Sequence, residues 1–165
     1  MSISAVQLAY YRSEYREELA SFDLPEEQLQ FTALPLQSLE IALTDPQRYP
    51  IVIQAQQQVV GFFVLHTGDG ILSYCDYTDA TPSKVMLIRA LLIDSKHQGK
   101  GYARTAMELL PAWVRQQFPQ IHELILVVNE RNQAAQRTYT VAGFEDLGHR
   151  PIGPAGLQRM MHYFL

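Results

Sequence analysis

A cluster of small and basic residues past the middle of the chain could bind an anion. It follows an apolar run, reads Gln98-Gly99-Lys100-Gly101, and is followed by Arg104. Glycines allow a tight turn and a close approach of amide N–H groups to a ligand, and the first turn of a helix adds unpaired donors and a positive dipole end. Lys100 and Arg104 would add positive charge for phosphate oxygens without a metal. The pattern indicates a phosphate site, with an ordinary glycine-containing loop as the alternative.

Two common phosphate motifs do not fit this stretch. A Walker A loop requires a fixed spacing between its first glycine and a Gly-Lys-Ser or Gly-Lys-Thr ending, and no window here has that spacing. A dinucleotide-binding fingerprint beginning at Gly99 and Gly101 requires a third glycine where this chain has Arg104. The acidic residue that such a fold needs could be Glu123, but we place it before the next strand and not at its end. An NAD site is therefore not expected.

The same stretch fits another family pattern when it is written as Gln98-x-x-Gly101-x-Ala103. This resembles the Gln/Arg-x-x-Gly-x-Gly/Ala signature of the GCN5-related N-acetyltransferase (GNAT) family. The second half of the family pattern follows in register as Asn132-x-x-Ala135-x-x-x-Tyr139-x-x-x-Gly143-Phe144. The resemblance implies acetyl-coenzyme A (acetyl-CoA) as co-substrate. It also implies an α/β fold of the GNAT type, in which a mixed central β-sheet with splayed parallel central strands is flanked by helices.

The resemblance assigns a set of residues to acetyl-CoA by their positions. The backbone of Leu91 and Ile93 would pair with the pantetheine amides, as a free strand edge can, and an amide here would polarise the thioester carbonyl. The glycine-containing loop and the helix start would hold the pyrophosphate, and Asn132 would cap a later helix and touch the pantetheine arm. Otherwise Asn132 is an ordinary N-cap or turn residue. The predicted cofactor-binding set is Leu91, Leu92, Ile93, Gln98, Gly99, Lys100, Gly101, Tyr102, Ala103, Arg104 and Asn132.

Tyr139 is the residue that the resemblance implies in catalysis. Attack of an amine on a thioester expels a thiolate, and a phenol held near the sulfur can give that thiolate a proton as a general acid. Without the resemblance, a tyrosine at this position of an amphipathic helix is more simply explained as a core residue. Tyr139 is thus the predicted catalytic residue.

The group that removes a proton from the amine is not identified by the sequence. Many relatives place a glutamate on the strand before the phosphate loop, but the polar residue of that strand here is Arg89, which cannot act as a base. Asp76, Tyr77 and Glu40 lie in segments that usually form the acceptor side in this family, so they are the candidates. Surface or capping polarity is the alternative for each, and a water chain could replace a direct base.

Hydrophobic periodicity and turn residues predict the elements that position these residues. Strands are predicted over 3–10, 51–54, 59–65, 85–93, 124–128, 144–149 and 158–165, and helices over 12–21, from Pro25, over 36–43, 103–118 and 133–142. Residues 85–128 form a strand-helix-strand unit whose strands should be parallel. Pro111 should bend the long helix, and residues 67–83 and 151–156 are expected to be irregular.

The charges are divided unevenly along the chain. Residues 1–82 carry three basic and eleven acidic groups, a net charge of -8, whereas residues 83–165 carry ten basic and six acidic groups, a net charge of +4. The basic half contains the predicted phosphate site. The acidic half contains the acceptor-side segments, where a cationic amine and a solvated acidic surface are about equally good explanations. Nucleic-acid binding by the basic half is disfavoured because its charges are not clustered or interleaved with aromatics.

Length and composition predict the class of protein. A chain of 165 residues, 47% of them hydrophobic, can bury one sizeable core, so we expect a single N-acetyltransferase domain over residues 1–165. It has no long apolar run, secretion signal or repeat, which favours a cytoplasmic protein without a membrane partner. Cys75 is the only cysteine and lacks neighbours at metal-ligand spacing. Neither Cys75 nor His97, beside the phosphate loop, is assigned a role.

These observations predict an enzyme that transfers an acetyl group from acetyl-CoA to a primary amine by direct attack in a ternary complex, without a metal. The acceptor would be a small cationic amine such as a polyamine, or a peptide amine. Nucleic acid is not an expected partner, and the terminal strands could pair two copies into a homodimer. The alternative is a non-catalytic acyl-CoA-binding sensor or subunit.

Overall fold

The computed structural model describes residues 5–165. Its strands are β1 (Gln7–Tyr10), β2 (Arg48–Ala55), β3 (Gln58–His66), β4 (Val85–Ile93), β5 (Glu123–Asn129), β6 (Glu145–Asp146), β7 (Ile152–Gly153) and β8 (Gly156–Phe164). Its α-helices are α1 (Arg16–Ala20), α2 (Glu26–Leu29), α3 (Pro35–Leu43), α4 (Leu72–Cys75), α5 (Tyr102–Gln117) and α6 (Gln133–Val141). Short 3-10 turns cover Ser13–Tyr15, Gly68–Ile71, Pro82–Lys84 and Ser95–His97.

The strands form one mixed sheet in the order β1-β2-β3-β4-β5-β8-β6, with β7 paired to β8. Neighbouring strands are antiparallel except β4 and β5, which are parallel as the strand-helix-strand pattern predicts. Their pairing runs from Val85 opposite Glu123 to Ile88 opposite Leu126, and both strands continue beyond it. The two central strands therefore separate, which confirms the predicted splay.

Helices cover both faces of the sheet because the strands alternate apolar side chains to each side. On one face, α5 contributes Ala106, Met107, Leu110 and Val114, and α6 contributes Tyr139, to a core built on inward residues of β2 to β5. On the other face, Leu19 of α1 and Leu39 of α3 pack against residues of β2 and β3, including Phe62 and Val64. A smaller cluster under α4 contains Ile71, Val85, Leu87 and Ile125. The sheet's two faces thus meet separate helical layers.

Several predicted boundaries differ from the structure. The first strand begins at Gln7, and residues 3 and 4 of that prediction lie outside the described residues. The predicted helix over 12–21 is divided into a 3-10 turn and α1, and the strand over 144–149 is reduced to β6. The loop over 151–156 contains β7 and turns directly into β8. Glu123 begins β5 instead of preceding it, because it pairs with Val85 and Phe164, and α5 continues past Pro111.

A series of buried polar side chains connects the start of β5, strand β8 and the loop before β7. The Glu123 carboxylate lies 2.6 Å from Nδ1 of His162, and Nε2 of His162 lies 3.1 Å from Nδ1 of His149. Glu123 and His162 are almost fully buried, at 2% and 0% exposure. A buried carboxylate needs hydrogen-bond partners to offset its lost hydration, and His162 supplies one to the carboxylate of Glu123.

His66, at the end of β3, makes stability depend on pH. Burial, with Arg48 and Arg89 nearby, lowers the pKa of His66 from 6.5 to about 4. Between these values the unfolded chain binds a proton that the folded chain does not, so we expect the free energy of unfolding to fall as pH falls from 6.5 to 4. One proton gives a slope of at most about 1.4 kcal/mol per pH unit.

Urea unfolding at several pH values between 4 and 7 checks this effect. The variant His66→Phe, which cannot titrate, should lose part of that slope, and the variant of exposed His122, His122→Gln, should keep it. An unchanged slope in His66→Phe would contradict the assignment.

Within residues 5–165, no helix combines the length and the apolar character needed to cross a membrane. The same part of the chain shows no group of three or more His, Cys, Asp or Glu side chains arranged to hold a metal ion.

Candidate functional site

A cleft of about 1010 Å³ opens where β4 and β5 separate. One wall is the unpaired part of β4, from Ile88 to Ile93, and the other includes Val127 to Asn129 of β5. The start of α5 closes one end, and α6 contributes Thr138 and Tyr139. A segment around α2, between Glu27 and Thr32, also lines it. The cleft thus joins the predicted cofactor residues to the α2 segment, which the family resemblance places on the acceptor side.

A bulge at Ala90 produces the separation of the strands. Ala90 has a φ of 61°, a left-handed conformation that a non-glycine residue rarely adopts. The pairing with β3 shifts at this point, since Phe62 lies opposite Leu92 and Val64 lies opposite Arg89. An extra residue bends a bulged strand, and here the bend turns β4 away from β5. Sequence reasoning missed this bulge because an alanine gives no local signal for it.

The phosphate loop presents amide donors at the end of the cleft. Gly99 and Gly101 have φ values of 77° and 79°, and Gly101 is the N-cap of the 16-residue helix α5. Among the described residues, the amides of Gly99 through Arg104 have no hydrogen-bond acceptor. The first turn of α5 carries no acidic side chain that could occupy its positive dipole end. These donors fit a pyrophosphate, which supplies several anionic acceptors.

Contacts from outside the motif hold the phosphate loop in place. The buried carboxylate of Asp94 accepts a hydrogen bond from the amide of Asp23 at 2.9 Å, and the amide of Ser95 donates to the carbonyl of Asp23 at 2.9 Å. Nε2 of Gln98 donates to the carbonyl of Ile93 at 2.8 Å, which closes the turn after β4. The loop is therefore fixed by the segment between α1 and α2 as well as by its own turn.

Two contacts connect the α2 segment to the two sides of the cleft, one to the phosphate loop after β4 and the other to the loop after β5. The side-chain amides of Gln28 and Gln98 exchange hydrogen bonds of 3.2 and 2.9 Å. On the other side, the guanidinium of Arg131 lies over the ring of Phe31 at 5.6 Å. Sequence reasoning did not predict either contact, because residues so far apart leave no periodic signal.

Most of the predicted cofactor residues line this single cleft. They are Leu91, Leu92, Ile93, Gln98, Gly99, Gly101, Tyr102, Ala103, Arg104 and Asn132, together with the predicted catalytic Tyr139. Lys100 is exposed and does not line the cleft. Asn132 accepts a hydrogen bond from the amide of Ala135 at 3.3 Å, so it is the N-cap of α6 as well as a lining residue. The predicted site residues, apart from Lys100, therefore come together in one cleft.

Tyr139 projects from α6 into the core beside the cleft. It is 9% exposed, and its ring makes an edge contact with Phe144 at 5.9 Å between centroids. The phenol of Tyr139 is protonated at neutral pH, and burial raises its pKa above the ordinary value of 10 because it disfavours the charged phenolate. Its hydroxyl has no hydrogen-bond partner among residues 5–165. A protonated, unengaged phenol at the cleft wall has the properties of a proton donor.

None of the three candidate bases lines the cleft. The carboxylate of Glu40 forms a 2.6 Å ion pair with Arg16, and Asp76 is exposed. The ring of Tyr77 packs near His149, with 5.4 Å between centroids. Glu27 is the carboxylate that does line the cleft, against the arginines Arg89, Arg104 and Arg131.

The two residues left without a role differ in position. His97 lines the cleft beside the phosphate loop. Burial lowers its pKa, so its imidazole stays neutral to a lower pH than that of an ordinary histidine. Cys75 does not line the cleft, and burial raises its pKa, which makes a reactive thiolate unfavourable.

A mixed sheet with separated central strands, unpaired amides at a helix start and a tyrosine at the cleft wall is the arrangement that the family resemblance implies for an acyl-transferring enzyme. The sequence model of the Acetyltransferase (GNAT) family matches residues 9–144, most of the chain. The chain therefore belongs to this family and is an N-acetyltransferase.

Relatives and solved structures agree with this assignment. The uncharacterized N-acetyltransferase YbbJ of Bacillus subtilis (strain 168) is 42% identical over 161 residues, which cover 97% of this chain and 98% of the relative. Aminoglycoside acetyltransferase AAC(6')-Ib in complex with coenzyme A shares the fold, with a TM-score of 0.75, 19% identity and coverage of 96% and 94% of the two chains. Spermidine N-acetyltransferase from Vibrio cholerae in complex with CoA and spermine has a TM-score of 0.69, 18% identity and coverage of 98% and 96%.

Proposed function

We propose that this protein transfers an acetyl group from acetyl-CoA to a primary amine by direct attack within a ternary complex. The observation that carries the proposal is the cleft between β4 and β5, which ends at the unpaired amides of Gly99 through Arg104. Such a site suits a long ligand with phosphates at one end. The structures of AAC(6')-Ib and the spermidine enzyme were determined with coenzyme A bound, which supports the same ligand here.

Each part of the cleft has a task in this reaction. The amides of Gly99 through Arg104 would hold the pyrophosphate, and the free edge of β4 between Arg89 and Ile93 would pair with the pantetheine amides. Fixing the thioester in this way lowers the entropy cost of attack by the amine. The amine nitrogen forms a bond to the carbonyl carbon, the carbon–sulfur bond breaks, and Tyr139 gives its proton to the leaving sulfur. The proton released by the amine passes to water and restores the phenol.

Water is a better proton acceptor for the amine than any direct base in this cleft. Glu27 is the lining carboxylate, and it is exposed on α2. Arg89 occupies β4, where the resemblance places a glutamate in many relatives, and a guanidinium cannot accept a proton. We therefore propose that Asp76, Tyr77 and Glu40, none of which lines the cleft, are not required for removal of this proton.

The acceptor is a primary amine of a small molecule or a peptide. Solved relatives are described in complex with kanamycin and with spermine, which supports small cationic amines as candidates. In this chain, however, one carboxylate and three arginines line the cleft, so its own charges offer little attraction to a polycation.

Release of free coenzyme A thiol from acetyl-CoA tests the proposal directly. The purified protein should release thiol only when a primary amine is present, in a panel that contains amino acids, diamines, spermidine, kanamycin and short peptides. Mass spectrometry of the product should show one added acetyl group. Binding of acetyl-CoA without turnover for any amine would contradict the proposal and favour a non-catalytic acyl-CoA sensor.

A further inference from the structure

Arg89 is a half-buried cation without a counter-ion. Among residues 5–165 no carboxylate lies within ion-pair distance of its guanidinium, and residues 1–4 contain no acidic side chain. Its Nε is buried without a hydrogen-bond partner, and Tyr74 supplies a side-chain hydrogen bond. Several other arginines form ion pairs, for example Arg48 with Asp45 at 3.2 Å and Arg104 with Glu108 at 2.9 Å. An unpaired buried charge is costly, so this guanidinium is set to receive an anion.

The groups around Arg89 leave its positive charge uncompensated. Arg48 lies close enough to disfavour the charge on Arg89, and Asp45 is already engaged by Arg48. His66 is neutral at pH 7 because burial and these two arginines lower its pKa to about 4. Among the described residues, Arg89, Arg48, Asp45 and His66 together therefore carry a net positive charge at neutral pH.

The position of Arg89 points to the acceptor and not to the phosphates of the cofactor. Arg89 lines the cleft but lies four residues before Ile93, the last residue of β4, which is roughly 13 Å along the strand at about 3.3 Å per residue, and the phosphate loop follows Ile93. Its cross-strand partner is Val64, so its side chain shares the sheet face that carries α1 and α3. Tyr139 belongs to the core of the opposite face. An acceptor held by Arg89 and the proton donor to the sulfur would thus occupy different sides of the thioester.

We infer that Arg89 binds the carboxylate of an acceptor that also carries the primary amine, so that the substrate class is an amino acid or a closely similar amino-carboxylate. A guanidinium can hold a carboxylate through two parallel hydrogen bonds, which fixes the orientation of the attached amine. This inference rests on the proposed acetyl transfer to an amine and specifies which amines are used.

Acceptors that differ only in the presence of a carboxylate distinguish amino-carboxylates from cationic amines as substrates. The twenty common amino acids are compared with their carboxamides, and γ-aminobutyrate is compared with putrescine, a diamine of the same chain length. For the best acceptor, kcat/KM should be at least tenfold higher for the carboxylate than for its carboxamide. Carboxamides or putrescine used as well as the carboxylates would overturn the inference while leaving the proposed acetyl transfer intact.

Variants of Arg89 test the residue itself. Arg89→Gln should reduce the carboxylate-to-carboxamide ratio to about one through a higher acceptor KM, with the KM for acetyl-CoA changed less than twofold. Arg89→Lys, which keeps the charge without the planar fork, should retain part of the preference. Arg115→Gln, at an exposed position of α5 outside the cleft, is the matched control and should behave as the unmodified protein. A preference that persists in Arg89→Gln would overturn the assignment.

Measured affinities for the acceptors test the role of Arg89 even if no amine is acetylated. Calorimetry with the protein–CoA complex measures the affinity for the same carboxylate and carboxamide pairs, alongside the melting temperature of each variant. Carboxylate-dependent binding that Arg89→Gln abolishes would support the inference and contradict the proposed transfer. Absence of binding by every carboxylate of the panel would overturn the inference.

Discussion

Replacing Tyr139 with phenylalanine is expected to lower kcat for acetyl transfer about a hundredfold or more, the usual contribution of a positioned general acid. The substitution removes the hydroxyl and leaves the ring in its edge contact with Phe144. Burial raises the pKa of Tyr139, so the native phenol carries its proton throughout the neutral range, and it would pass that proton to the sulfur only as negative charge develops there in the transition state. Steady-state kinetics with a saturating acceptor would measure the loss.

The comparison variant is Tyr163→Phe, because Tyr163 also packs against Phe144, at 5.4 Å between ring centroids, but does not line the cleft. It should keep nearly full kcat, and both variants should bind acetyl-CoA as the unmodified protein does. If kcat of Tyr139→Phe stays within threefold of the unmodified value, proton donation by Tyr139 is wrong and water protonates the thiolate.

A second large effect is expected for Gly101→Glu, which should weaken acetyl-CoA binding by a hundredfold or more. Gly101 is the N-cap of α5 and has a φ of 79°, among the amides that would hold the pyrophosphate. Like charges 4 Å apart near a protein surface repel by about 4 kcal/mol, which is roughly a thousandfold in affinity. Calorimetric titration with coenzyme A gives the dissociation constant.

Two further variants separate repulsion from backbone strain. Gly101→Ala has the strain of a left-handed residue, about 1 to 2 kcal/mol, without the charge, so it should lose much less affinity. Gly148→Glu places the same charge at another glycine of positive φ, 95°, in an exposed loop outside the cleft, and should bind normally. Unchanged affinity in Gly101→Glu would show that the pyrophosphate lies elsewhere.

The sequence predicted the parts of the site that depend on local pattern. The apolar run of β4 and the three-and-four spacing of α5 reflect burial on a sheet and on a helix face, so their positions were close to those observed. The glycines of the phosphate loop require positive φ at Gly99 and Gly101, which their residue type signals directly. The motif spacing likewise brought Asn132 and Tyr139 to the same cleft.

Features determined by distant contacts could not be predicted in this way. Ala90 adopts its left-handed conformation because the strand pairs on both sides of it are offset, and alanine has no local preference for that conformation. Gln28 contacts Gln98 and Phe31 contacts Arg131, and these partners lie in loops on the two sides of the cleft. The missing counter-ion of Arg89 depends on every neighbouring element, so the sequence indicated only that Arg89 is not a base.

The amide pair between Gln28 and Gln98 has a thermodynamic consequence for the affinities of the cofactor and the acceptor. Gln98 belongs to the phosphate loop, and Gln28 belongs to the α2 segment, which would lie against the acceptor. A ligand that orders one of these side chains also orders the other, so occupancy at one end changes the conformational entropy left to lose at the other end. Linkage makes this coupling reciprocal. Any gain in acceptor affinity caused by the cofactor must equal the gain in cofactor affinity caused by the acceptor.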